Sequence, residues 1–217
     1  MPTQDKPVLY TYFRSACSAR VRIALNLKGI EYEPHFVNLL EGKQLTEEYA
    51  AKNPHKLVPT LEIDGQTFSQ SMAILEYLEE TRSEFPLLPK DPVKRAEIRG
   101  LLYSIIADIQ PIQNLRVLNY VGESKVEWAK HWITVGFEGI EKALEKTAGK
   151  YCFGDDITLM DVCLAPQMYN AKRFGVDLKK FPIISRIDEE LNQVEAFKLA
   201  HWQSQPDCPE SLRESTK

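Results

Sequence analysis

The feature that most constrains this chain is a change of pattern at one proline-dense stretch. Residues 85–92 read Phe-Pro-Leu-Leu-Pro-Lys-Asp-Pro, three prolines in eight positions. Proline lacks a backbone donor and keeps the residue before it out of the helical region, so such a run makes a natural linker. Before it, short β-branched or aromatic runs alternate with helical periodicity; after it, no run reads as a strand. The pattern predicts a mixed α/β domain over residues 1–87 and an all-helical domain over residues 88–217.

In the first domain, residues 8–13 read as a strand. Val21, Ala24, Leu25 and Lys28 then fall at helical spacing over residues 18–28, with Gly29 as a stop. A second strand spans residues 32–37, and a short helix over 46–52 ends at Asn53-Pro54. Strands over 57–63 and 67–70 flank Asp64-Gly65, a hairpin turn. Ser71 reads as the N-cap of a helix reaching about residue 82. The order βαβ, hairpin, α predicts a small mixed sheet with helices on its faces. In the second domain, residues 93–120 read as one long helix kinked at Pro111, and residues 125–146 as another. Thr158-Leu-Met-Asp161 has capping-box form before an apolar run to Phe174. Residues 183–199 supply one or two more helices, and the polar tail from Gln203 reads as loosely held.

Charge and cysteine usage exclude several functions. With 27 Lys+Arg against 31 Asp+Glu, the net charge of −4 argues against a nucleic-acid partner. No apolar run approaches the roughly 20 residues of a membrane span. Residues 1–7 show no signal-peptide stretch. Cys17, Cys152, Cys163 and Cys208 form no CxxC pair and read as reduced thiols of a cytoplasmic protein. The four histidines lack paired ligand spacing, and no metal site is expected.

Chemistry concentrates where the first strand runs into the first helix. Ser15, Cys17 and Ser18 crowd a helix start, where free N–H groups favour anions and thiolates. Two readings stay open: the serines cap and Cys17 packs, or the group serves a thiolate. A dithiol cycle would need a second cysteine where Arg20 stands. Val58-Pro59 enters a strand as either an edge-strand proline or a cis peptide that presents the Val58 backbone to an extended ligand. Gln70-Ser71 is either a plain cap or a carboxylate cradle.

The run Arg14-Ser-x-Cys-x-x-Arg-Val-Arg-Ile-Ala-Leu25 resembles the zeta class of glutathione transferases. Val58-Pro-Thr-Leu61, Gln70-Ser71 and Asn170-Ala-Lys-Arg-Phe174 carry the same resemblance, which covers nearly the whole chain. It implies a thioredoxin-like N-terminal domain, an all-α C-terminal domain carrying much of the electrophile site, and a homodimer. It implies glutathione as cofactor: Ser15 hydrogen-bonds its thiolate, with Ala16 and Cys17 beside it. Val58, before Pro59, pairs with the cysteinyl part, Gln70 and Ser71 clamp the γ-glutamyl end, and Gln44 reaches the glycyl end. Gln110 and Asn114 of the helical domain close over the site. Arg14 and Arg173, with Arg116 as a third positive group, face a small acidic maleyl ketone.

The implied activity is cis–trans isomerisation of maleylacetoacetate to fumarylacetoacetate in phenylalanine and tyrosine breakdown. Transferase activity, including on α-haloacids, would accompany it. Maleylpyruvate is the alternative substrate, and a non-catalytic glutathione-fold module is the alternative of another class. The chain departs from the class at Ala16, where a second serine is usual, and at Ala19, where an aromatic residue or histidine is usual.

Overall fold

The computed structural model describes residues 6–213. The first five residues, most of the start read above as lacking a leader, lie outside it, as do the last four. Contacts divide the chain into two compact units. One comprises residues up to Phe85 together with those from Glu195 on, and the other is Pro86–Val194. The break falls inside the proline-dense stretch. The helical unit, however, ends at Val194 and not at the C-terminus.

The first unit is built on strands β1 (Val8–Thr11), β2 (Glu33–Phe36), β3 (Thr60–Ile63) and β4 (Gln66–Ser69). They lie in the order β2-β1-β3-β4, with β1 parallel to β2 and antiparallel to β3. The β3–β4 turn is Asp64-Gly65, with φ of 55° and 71°. Two left-handed central residues match the twist of the flanking strands. Helices α1 (Ala16–Leu27), α2 (Glu47–Lys52) and α3 (Ser71–Thr81) complete the expected order, the thioredoxin-like arrangement. Leu9, Leu25, Leu61, Ile74, Leu75 and Leu78 are wholly buried. Lys28, also buried, holds Glu79 at 3.0 Å and the carbonyls of Arg82 and Phe85, which fixes the chain as it leaves α3.

Two helix starts differ from the expectation. α1 begins at Ala16, not at residue 18, because the Ser15 side chain takes the cap position and accepts the Ser18 N–H at 3.2 Å. At α3, Gln70 holds the cap position and Ser71 is the first helical residue.

The second unit contains α4 (Pro92–Tyr103), α5 (Leu115–Val121), α6 (Lys125–Thr147), α7 (Leu159–Arg173) and α8 (Pro182–Leu191). The single kinked helix expected over 93–120 is broken. α4 widens into a π-turn over Ser104–Ile109, followed by a 3₁₀ turn over Pro111–Gln113. Pro111 offers no N–H, and the Gln110 N–H reaches back five residues to Ile105 at 2.8 Å. Ile109 then packs onto α6 at Gly136, where a Cβ would lie 2.2 Å from the Ile109 Cδ1. The freed carbonyl of Ile112 accepts the Trp128 indole N–H at 2.8 Å. Asn114 restarts the helix, its side chain accepting the Arg116 N–H at 3.3 Å.

The capping box of α7 forms as expected. The buried Asp161 carboxylate accepts the Thr158 N–H and hydroxyl, each at 2.8 Å, and the Cys152 N–H at 2.9 Å. Burial pushes the Asp161 carboxyl up from its ordinary range, and burial beside that carboxylate pushes the Cys152 thiol well up.

The last segment returns to the first unit. α9 (Glu195–Ala200) lies along α1, where the Asn26 amide donates to the Ala196 carbonyl at 3.0 Å. The tail expected to be loosely held is anchored as far as it is described. The Asp207 carboxylate accepts the Phe13 N–H at 2.8 Å, the Gln205 amide donates to the carbonyls of Leu199 and His201, and Cys208 is buried. No helix among the described residues is long and apolar enough to cross a membrane.

Candidate active site

β1 ends at Thr11, and the chain turns through Tyr12, Phe13 and Arg14 into α1. The first intrahelical bond there is Ala19 N–H to the Ser15 carbonyl at 2.9 Å. The Ser18 N–H is taken by Ser15, and those of Ala16 and Cys17 have no partner among the described residues. Open N–H groups and the positive end of a twelve-residue helix therefore surround a half-buried thiol. Ser15 accepts through its oxygen, and its own hydroxyl proton stays available for donation. Of the two open readings, the capping role of Ser15 is present in the structure, and it leaves the hydroxyl proton uncommitted. All four cysteines are free thiols.

Two arginines that sequence reasoning passed over support this corner. Arg22 is wholly buried and donates to the Thr11 hydroxyl at 2.9 Å and to the carbonyls of Tyr12 and Phe13 at 3.3 and 3.1 Å. It also holds the Ala200 carbonyl through Nε and Nη2. Burial lowers its pKa to about 10, with Tyr32 and Asp207 opposing, so it stays charged at neutral pH. Arg20 is 1% exposed, and its Nη1 lies 3.8 Å from the Cys17 Sγ and 3.3 Å from the Ser71 Oγ. The available signal was context and not periodicity: residues 20 and 22 lie on nearly opposite sides of the helix, and α1 is buried without a break from Arg20 to Leu25.

The remaining residues named for the first unit take these places. The Val58–Pro59 peptide is cis, and Val58 lies outside the β1–β3 register, which starts at Thr60 opposite Tyr10. Gln70 has φ 70° and ψ 117°, a region that costs a non-glycine residue roughly 1–3 kcal/mol and is found where function holds it. Ser71 is buried and joined to Cys17 through Arg20. Gln44 lies in a 3₁₀ turn over Lys43–Leu45, and its Oε1 is buried without a partner. Arg14 is half-buried with its guanidinium 5.7 Å from the Phe13 ring centre.

In the second unit, Gln110 ends the π-turn and Asn114 caps α5, so its Oδ1 is already engaged. Arg116 is exposed in the first turn of α5. Arg173, exposed at the end of α7, lies 5.0 Å from the Phe174 ring centre. Among the described residues no group of three or more His, Cys, Asp or Glu side chains could hold a metal ion.

A β2-β1-β3-β4 sheet with α1 and α3 packed together, a cis-proline entering β3 and a helical second unit define the glutathione transferase class. The family of glutathione S-transferase N-terminal domains matches residues 14–81. The maleylacetoacetate isomerase of Mus musculus is 55% identical over 211 residues, 96% of this chain and 98% of the mouse chain. A bacterial maleylpyruvate isomerase, described as a zeta-class glutathione S-transferase, superposes with a TM-score of 0.90 at 39% identity, covering 93% of this chain and all of that one. A maleylacetoacetate isomerase from Anaeromyxobacter dehalogenans 2CP-1, with glutathione in its active site, gives 0.86 at 42% identity over 95% of this chain and all of that one. A second structure of that protein holds dicarboxyethyl glutathione and citrate there. The chain belongs to the maleylacetoacetate isomerase family of zeta-class glutathione transferases.

Proposed function

We propose that this protein is a glutathione-dependent cis–trans isomerase that converts maleylacetoacetate to fumarylacetoacetate, working as a cytoplasmic homodimer. The observation that carries the reading is the start of α1, where the Ser15 hydroxyl and the open N–H groups of Ala16 and Cys17 meet in one turn. The residues present fit glutathione: a buried Gln44 oxygen without a partner and a held, strained Gln70 stand on the same unit. Bound glutathione would supply a thiolate that adds reversibly to the cis double bond, letting that bond rotate.

This chain's residues do the rest. Ser15 donates to the sulfur and holds it ionised, with the helix start adding positive potential. Val58 offers its backbone to the cysteinyl part, Gln70 and Ser71 hold the γ-glutamyl end, and Gln44 the glycyl end. Gln110 and the free amide end of Asn114 contribute polar contacts. Arg14 and Arg173, with Arg116, carry the planar forks that suit carboxylate and enolate oxygens.

The deciding experiment assays maleylacetoacetate and maleylpyruvate with and without glutathione. Isomerisation is expected to need glutathione without consuming it, with the higher kcat/KM on maleylacetoacetate. Turnover at an undiminished rate without glutathione overturns the thiolate role, and a higher kcat/KM on maleylpyruvate reassigns the substrate. Failure to be retained on a glutathione column, with no turnover, leaves a binding module of another kind.

Arg173→Ala is expected to lower kcat/KM for maleylacetone about tenfold, the lower end for a charge-assisted hydrogen bond because the side chain is exposed. Conjugation of a neutral haloarene should change little. Equal losses on both substrates would place Arg173 in support of the fold.

A further inference from the structure

Arg20 is a buried cation whose hydrogen-bond partners carry no formal negative charge. Its Nη1 touches a thiol and a hydroxyl, and its Nε and Nη2 have no hydrogen-bond partner among the described residues. Burying a guanidinium in that state is costly, because lost hydration is not replaced. Arg22, just as buried, is served by neutral acceptors on all three nitrogens, whereas Arg20 at 1% exposure is not, and a nearby anion would offset its charge. Its position says where the anion belongs. One branch joins the first turn of α1, at Cys17, to the first residue of α3, at Ser71. Both helix starts therefore turn their positive ends toward the same guanidinium neighbourhood, and three like potentials add there.

We infer that Arg20 is a positioning residue for glutathione: its missing counter-charge is the bound tripeptide, and it holds the Cys17 sulfur and the Ser71 hydroxyl in the orientation that the tripeptide meets. The inference rests on the glutathione reading above and goes beyond it by assigning work to a residue that need not touch the ligand. Nη1 has two acceptors to serve at 3.3 and 3.8 Å. Loss of the guanidinium would free Ser71 to turn its hydroxyl onto its own helix and Cys17 to change rotamer. Glutathione binding and Cys17 accessibility are then linked through one side chain.

The test compares wild type with Arg20→Gln, Arg20→Met and Arg20→Lys. Glutathione affinity is read by isothermal titration, Cys17 alkylation by iodoacetamide is read by mass spectrometry, and thermal unfolding serves as the fold control. Arg20→Gln is expected to bind glutathione about tenfold more weakly and to change the Cys17 alkylation rate severalfold, with Arg20→Lys recovering most of the affinity. Arg20→Met should repeat the loss where it folds; if it does not fold, the Gln and Lys pair decides. Unchanged glutathione affinity in a folded Arg20→Gln overturns the inference. So do equal losses in Gln and Lys variants that track a lowered Tm, since packing alone would then explain them. A wild type that binds no glutathione would instead overturn the functional reading itself.

Discussion

Replacing Arg22 by methionine is expected to destabilise the first unit by about 3 kcal/mol, because buried acceptors left unpaired cost roughly 1–3 kcal/mol each and relief of the cation's own burial offsets part of the sum. The acceptors are the Thr11 hydroxyl and the carbonyls of Phe13 and Ala200, whereas the Tyr12 carbonyl keeps the Ser15 N–H at 3.0 Å. For a chain of this length, a loss of that size should lower Tm by roughly 6–12 °C. The consequence reaches the candidate site, because the Tyr12 and Phe13 carbonyls that Arg22 holds belong to the turn that delivers Arg14 and Ser15. Asp207 grips that turn from the other side through the Phe13 N–H, and burial raises its carboxyl above the ordinary range. Glutathione affinity should therefore fall together with stability. Arg22→Lys keeps a charge but only a single donor group, and should recover less than half of the loss. Thermal unfolding followed beside glutathione titration checks this. A variant with wild-type Tm would show that the turn holds itself.

What was legible in the sequence divides along physical lines. Strand and hairpin signals are local, so β1 to β4 and the Asp64-Gly65 turn could be read from alternation and turn chemistry. The Thr158–Asp161 box is likewise a four-residue signal. The break between α4 and α5 was not legible, because Pro111 signals a disturbance without saying what relieves it. The answer lies in Gly136, twenty-five positions on, whose missing side chain admits Ile109. The tail from Gln203 looked free because its anchors are backbone groups of Phe13, Leu199 and His201, which leave no mark in side-chain pattern. Within the candidate site, Ser15, Cys17, Gln70 and Ser71 were visible as helix starts. Arg20 and Arg22 were not, because a charged residue on a helix reads as solvated, and only the packing of the whole unit shows that α1 is enclosed from Arg20 to Leu25. Folding inverts that expectation here, and these two side chains hold the site's loop and join its two helix starts.

Ser15→Ala is expected to lower kcat/KM for maleylacetone by about ten- to a hundredfold, which corresponds to losing one hydrogen bond to a charged sulfur, about 1.5–3 kcal/mol. The structure complicates the measurement, since Ser15 also caps α1 through the Ser18 N–H. Alanine at an N-cap costs about 1 kcal/mol of stability, whereas glycine costs only a few tenths. Ser15→Gly therefore removes the hydroxyl while leaving the helix start nearly as stable, and it should show the same kinetic loss with a smaller drop in Tm. The thiol of bound glutathione, titrated by thiolate absorbance, should ionise at higher pH in both variants. Catalysis near neutral pH is then limited by the thiolate fraction, so part of the lost rate should return as pH rises. Cys17→Ala should have a smaller effect that depends on substrate, because in the proposed mechanism glutathione is the nucleophile and Cys17 only assists it. If Ser15→Gly keeps wild-type kcat/KM while Ser15→Ala does not, the serine matters only as a cap. The thiolate would then be held by the open N–H groups of Ala16 and Cys17 alone.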